Sequence, residues 1–359
     1  MSMRSVVPFG PQHPVLPEPI HLDLVLEDEK VVEAVPSIGF VHRGLEKLVE
    51  KKDFNEYVYV AERICGICSF MHGMGYCEAV EHIMDIELPP RAKFLRTIWC
   101  EMSRIHSHLL WLGLLADAFG FESLFMQSWR LREKVLDMFE ASTGGRVIFS
   151  VNKIGGQRKD VDNDMLHDFL RHFDEMEQEL KTLSKTFLND YAVCSRLKDV
   201  GFLTKEQAVE LGAVGPFMRA SGVALDNRKL GYAAYPEIEF EPITSNVGDC
   251  YARCDVRIRE IFQSFDIIRQ AVGKIPDGEV SVPVKGFPKG EHFMRVEQPR
   301  GEAIYYVKAN GTKNLDRVRV RTPTFANLPG MLETLKGCQL ADVPILILTI
   351  DPCISCTER

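Results

Sequence analysis

The sequence predicts a mainly helical α+β fold with small β-sheets and a central bundle of long helices. Two observations carry this expectation. Long helical patterns fill most of the stretch from Asn55 to about Leu188, and the segment from Ile275 to about Thr324 is rich in glycine, proline and β-branched residues. No internal repeat, low-complexity tract or flexible linker is present, so the 359 residues read as one interwoven domain. Its parts are a β-rich segment over 1–55, a helical bundle over 56–190 and a mixed α/β segment over 191–359.

In chain order, short strands are expected over Val6–Phe9, Ile20–Leu26 and Lys30–Val35, with Glu27-Asp28-Glu29 as a hairpin turn. Tyr57–Ile86 reads as a helix interrupted near a Cys-x-x-Cys (CxxC) motif. Pro90–Phe119, opened by Pro89-Pro90, reads as a long apolar-faced helix. Glu122–Thr143 and Asp160–Phe187 follow, punctuated by Gly144-Gly145 and Gly155-Gly156. These helices suffice for a four-helix bundle carrying the first CxxC. Pro236–Val247 is loop-like, Asp249–Val272 and Asn327–Gly337 are helical, and Val343–Ile350 reads as a buried strand.

The chain is 45% hydrophobic and 26% charged, as in soluble globular proteins, and its net charge of −8 argues against nucleic-acid binding. No secretory signal is evident, so the ten cysteines are expected to be reduced. The longest uncharged runs, His106–Ala116 and Val343–Ile350, are too short to cross a bilayer. Membrane association would come through partner subunits.

Two CxxC pairs, Cys65/Cys68 and Cys353/Cys356, lie at opposite ends of the chain. Together they offer four soft thiolates suited to zinc, iron–sulfur or nickel. Structural zinc sites pair CxxC units at closer spacing, yet ligand type alone favours zinc. His72, four residues after Cys68, is placed to hydrogen-bond a thiolate. Cys77, Cys100, Cys194 and Cys338 read as small apolar core residues. Cys250 and Cys254 share a helix face, but no other ligand pattern surrounds them.

Four motifs in order carry a family resemblance: Arg43-Gly-Leu-Glu46, Arg63-Ile-Cys-Gly-Ile-Cys-x3-His72, Glu297-x-Pro-Arg-Gly301 and Asp351-Pro-Cys-x2-Cys356. The chain resembles the large subunit of [NiFe] hydrogenases over essentially its whole length. Gly10-Pro-Gln-His-Pro14 and Gly39-Phe-Val-His-Arg-Gly-Leu-Glu-Lys47 make it similar to the membrane-bound, energy-converting (Ech-type, group 4) branch. That branch is related to the quinone-site subunit of respiratory complex I.

The resemblance implies a buried Ni–Fe centre with CO and CN ligands on iron. Cys65 and Cys353 would bind nickel terminally, and Cys68 and Cys356 would bridge nickel and iron. Glu18 would relay protons, and Glu46 would bind magnesium or iron at a third site. Arg300 would stand over the open metal face, with Asp351 as its partner and Asp117 nearby. The family's usual histidine ligand to the third ion is replaced here by Arg359, which would stand at the family's processing point. His13 would shape an interface or a proton path. His106 and His108, two apart, cannot share a helix face.

The implied partners are a small subunit with a [4Fe–4S] cluster, a further iron–sulfur subunit, ferredoxin and integral membrane ion-translocating subunits. The chain would sit at the cytoplasmic side of the membrane. The rival expectations are a nickel-free complex I-like subunit and a structural zinc scaffold.

Overall fold

The computed structural model of the protein describes residues 4–359. Strands β1 (Arg4–Phe9), β2 (His21–Glu27) and β3 (Lys30–Ser37) form an antiparallel meander. Leu22, Leu24 and Leu26 alternate along β2 and are buried, as a one-sided sheet requires. Asp28 turns the β2–β3 hairpin at φ 56, a conformation that aspartate tolerates.

The expected helix over Tyr57–Ile86 is two, α1 (Tyr57–Glu62) and α2 (Ser69–Ile83), parted at the first CxxC. Next come α3 (Pro90–Ala118) and α4 (Glu122–Thr143). The strands β4 (Asn152–Lys153) and β5 (Gly156–Gln157) make a small ribbon before α5 (Asn163–Asn189). Asp162 caps α5 by accepting from the Met165 amide at 2.8 Å. Three short helices follow, α6 (Tyr191–Leu197), α7 (Lys205–Glu210) and α8 (Gly215–Arg219), and then the long α9 (Cys250–Lys274).

The bundle differs from the expected one in membership. It packs α3 against α4 and α9, and α5 against α4 and α9. The first CxxC is outside it, because α2 packs mainly on the second large sheet and on α1. That sheet is antiparallel, ordered β6 (Lys289–Gln298), β7 (Gly301–Asn310) and β8 (Arg317–Arg321). Gly75 on α2 allows this packing: a Cβ there would lie 3.0 Å from the Tyr305 ring on β7.

After α10 (Pro323–Leu335), the run Val343–Ile350 is a helix, α11, not the expected strand. An eight-residue apolar run carries no period that separates the two. Pro344 suits a helix start, where its missing N–H is not needed. The side chains of α11 other than Pro344 are buried. The chain ends in α12 (Ile354–Glu358). Leu24, Trp99, Val296 and Leu346, from all three sequence segments, share one apolar core.

Candidate metal centre

Both CxxC motifs close the same local turn. The Cys68 amide donates to Cys65 Sγ at 3.3 Å, and the Cys356 amide donates to Cys353 Sγ at 3.4 Å. The two turns face each other. Cys65 Sγ lies 3.5 Å from Cys353 Sγ across 288 residues of sequence. The ligand atoms of Cys65, Cys353 and Cys356 lie within 4.8 Å of one another. With Cys68 these form a buried cluster separate from the main core.

Arg43 holds the turns together, donating through Nη2 to Ile64 O and Ser355 O at 2.9 Å each. Ser355 Oγ adds a bond to Ile64 O at 2.6 Å.

Arg300 is carried at the tip of the β6–β7 hairpin, where Gln298 pairs with Gly301. Its Nε donates to Asp351 O and its Nη2 to Asp351 Oδ1, both at 2.8 Å. Its Nη1 lies 3.2 Å from Cys68 Sγ and 3.5 Å from Ser107 Oγ. The hairpin tip touches Gly215 so closely that a Cβ there would lie 2.3 Å from Gly301 Cα. Asp351 follows α11 in the left-handed region, at φ 59. Its second oxygen, Oδ2, is buried with no hydrogen-bond partner.

Glu18 lies beside Cys353, with Oε1 at 3.7 Å from the sulfur. Its Oε2 accepts from the amides of Ile354 and Ser355, the latter at 3.1 Å, and so caps α12. Glu18 also lines a cavity of about 370 Å³ with His13, Pro11 and Leu16. His13 stacks on Phe9. His72 is fully buried, with Nε2 at 3.4 Å from Cys356 Sγ and Nδ1 against Tyr305 Oη.

Asp117 is not brought to the site. It is exposed on the last turn of α3, ten residues beyond Ser107, about 15 Å along the helix. His106 and His108 point apart as expected: His106 meets Phe139 on α4, while His108 Nε2 meets Glu260 Oε2 on α9 at 3.0 Å. Glu46 is engaged by protein donors, from the Val320 amide at 2.8 Å, Arg359 Nε at 2.9 Å and Arg319 Nη1 at 3.0 Å. Ser107, Tyr305 and Arg257 escaped the sequence reading. Arg257 alone had a signal, a charge on the core-facing stripe of α9.

Electrostatics explain what the cluster needs. Hydrogen bonds from Cys353, Cys356 and Cys68 hold the Cys65 thiol well below its ordinary value, against burial. Burial and the three neighbouring sulfurs push Cys356 well up. One thiolate thus forms at its neighbours' expense, and four together require a multivalent cation. Burial, then the Cys65 charge, raises Glu18 above the ordinary carboxylate value. Burial pulls His72 down to about 4, so its ring is neutral at pH 7.

Residues 43–117 match the family described as nickel-dependent hydrogenase. Residues 118–287 and 283–359 match that described as respiratory-chain NADH dehydrogenase, 49 Kd subunit. The membrane-bound hydrogenase subunit alpha of Pyrococcus furiosus is 38% identical, over 98% of this chain and 87% of its own length. The chain belongs to this family of hydrogenase large subunits and complex I 49 kDa subunits. Another relative in the hydrogenase and complex I family is the carbon monoxide-induced hydrogenase of Rhodospirillum rubrum. It is 37% identical, over 98% of this chain and 99% of its own. A chain in the solved membrane-bound sulfane sulfur reductase, an archaeal respiratory membrane complex, superposes with a TM-score of 0.94 at 32% identity. That match covers 99% of this chain and 98% of the other. The resemblance read from the motifs therefore holds. Among the described residues, no helix is long and apolar enough to cross a membrane.

Proposed function

We propose that this chain is the catalytic subunit of an energy-converting, membrane-bound [NiFe] hydrogenase. It forms and heterolytically cleaves H2 reversibly, exchanging electrons with ferredoxin, and the reaction is coupled to ion translocation by membrane subunits. The observation that carries this reading is the convergence of all four cysteines beneath Arg300. Fold alone does not separate the relatives, which include hydrogenases and NADH-quinone oxidoreductase subunits. Four soft anionic donors fit a nickel–iron pair, which Cys65, Cys68, Cys353 and Cys356 would hold. Such a pair, its iron bearing CO and CN, supplies the electrophilic site at which hydrogen is polarised.

The chain's own groups handle charge and protons. Arg300 donates to Cys68 Sγ, and Asp351 locks its fork through two bonds. With Cys356 as thiolate, His72 donates from Nε2 to that sulfur, while the Tyr305 hydroxyl donates to Nδ1. Glu18 receives the proton from Cys353 Sγ, because burial leaves its carboxyl able to hold one. From there the proton leaves through the cavity beside His13. Burial of all four cysteines keeps bulk water from the reacting atoms. A [4Fe–4S] cluster in a small partner subunit would take up the electrons, and the chain would sit peripherally at the cytoplasmic side of the membrane.

An infrared spectrum of the purified complex tests the reading. Bands in the metal-bound carbonyl and cyanide region, with nickel and iron on elemental analysis, are expected. The match over residues 118–287 and 283–359 to the NADH dehydrogenase 49 Kd subunit favours, as a second reading, a nickel-free redox-coupling role. No bands and no nickel would select that role, and zinc alone would select a scaffold.

A further inference from the structure

We propose that the Arg359 guanidinium occupies the place of the third metal ion, so that this protein holds Glu46 with an internal cation and binds no magnesium or iron there. Glu46 projects from a short 3-10 helix, Leu45–Glu50, against the end of α12. A carboxylate offers about four lone-pair positions. Three are engaged: Oε1 accepts from Val320 N and Arg359 Nε, and Oε2 accepts from Arg319 Nη1.

Arg359 is itself well served. Its Nη1 donates to Thr357 O at 2.7 Å, and its guanidinium lies 5.7 Å from the centre of the Phe325 ring. An ion entering here would stand beside two positive charges, Arg359 and Arg319. It would also lack ligands: among the described residues, the only group of three or more metal-ligating side chains is that of Cys65, Cys353 and Cys356. Magnesium binds through free carboxylate oxygens and its own waters, and the oxygens of Glu46 are already taken by protein donors.

The guanidinium performs the mechanical task an ion would have. It ties the segment after Cys356 to the segment that carries Arg43, the residue bridging both CxxC turns. Two further contacts zip these segments together, Leu45 N to Arg359 O at 3.3 Å and His42 Nδ1 with Glu358 O at 2.6 Å.

The test uses the intact complex, stripped with a chelator and titrated with Mn2+ by electron paramagnetic resonance, with a density map of the same preparation. The wild type is expected to bind no Mn2+ at micromolar concentration, and the map to show the guanidinium against Glu46. Arg359→His, which substitutes a metal ligand for the cation, is expected to bind one Mn2+ per chain, displaced by Mg2+. A wild-type Mn2+ site that Glu46→Gln abolishes would overturn the proposal. So would ion density at Glu46 in the map, or an Arg359→His complex of normal nickel content that binds none. Manganese and the map report this proposal, whereas nickel and the infrared bands report the hydrogenase reading, so their failures are distinguishable.

Discussion

Replacing Arg257 by methionine tests how the second CxxC is delivered. The last carbonyls of α11 have no partners within the helix. Trp111 Nε1 serves Leu348 O at 2.8 Å, and Arg257 serves Thr349 O at 2.7 Å and Ile350 O at 2.8 Å. The next residue is Asp351, and Cys353 follows two later, so Arg257 fixes the point from which the metal-binding arm departs. Burial pulls its guanidinium down to about 10, a cost of about 3 kcal/mol. Methionine keeps the bulk and removes the donors. Stranding two buried carbonyls costs about 1–3 kcal/mol each, or about 2–6 kcal/mol together. Release of the buried charge offsets about 3 kcal/mol of this. The net loss is then at most about 3 kcal/mol, or a fall of roughly 4 °C in unfolding midpoint for a chain of 359 residues. The arm suffers more than the whole, so nickel retention should drop further than the midpoint implies. Differential scanning fluorimetry and nickel analysis on the same preparation measure both. Unchanged midpoint and unchanged nickel would refute the clamp. A fall well beyond about 10 °C would show that the buried charge stabilises the fold.

Three further outcomes are expected. Glu18→Gln should retain the metals but suppress hydrogen/deuterium exchange with solvent; normal exchange would remove Glu18 from the relay. Gly215→Ala forces a side chain onto Gly301 at a left-handed residue (φ 70), and should cost about 2–4 kcal/mol in urea unfolding while displacing Arg300; a change under about 1 kcal/mol would count against the close contact. Glu78 faces Glu81 and His82 on its own helix, Arg96, Lys93 and Cys100 on α3, and Tyr232. Glu81 takes Arg96 at 2.7 and 2.8 Å, so Glu78 keeps only a 3.4 Å contact, and burial raises it to about 7. Its folded value is above its unfolded one, so its contribution to stability falls as pH rises from 4.5 through 7. Glu78→Gln should therefore be more stable than wild type at pH 8, by at most about 3 kcal/mol, and indistinguishable at pH 4; equal urea midpoints at pH 8 would contradict the assignment.

What was legible in the sequence follows from range. The CxxC turns are local, and each is closed by an amide three residues on, so spacing alone reveals them. The β2–β3 hairpin is local too. Bundle membership is not, because whether α2 or α9 completes it depends on which partner buries each apolar face. The eight apolar residues of α11 fit a strand as well as a helix, and only the donors Trp111 and Arg257 show which ends need satisfying. Asp117 looked apt beside an apolar helical run, but an α-helix carries it well past Ser107, the residue that does reach Arg300. Glu46 lay at the expected spacing, while its partner Arg359 was read only as a missing ligand.

These long-range contacts bear unequally on the two halves of the centre. Cys65 and Cys68 lie between α1 and α2, which are anchored in the main core through Tyr57, Val58, Met71 and Met74. Cys353 caps α12 and Cys356 lies on it, and its five residues are too few for a helix that stands alone. That arm is held from outside: Glu18 caps its first amides, Thr324 Oγ1 accepts from Cys353 N at 3.0 Å, and Thr322 Oγ1 donates to Cys356 O at 3.1 Å. Its donors and acceptors come from the N-terminal segment, from α10 and from the residue preceding α10, so they exist only once the rest of the molecule is formed. The arm therefore depends on contacts that the rest of the fold supplies. Because one cysteine pair arrives with it, a metal held by all four cysteines would stabilise its docking. The N-terminal pair is the prepared half of the site, and the C-terminal pair is the half that closes it.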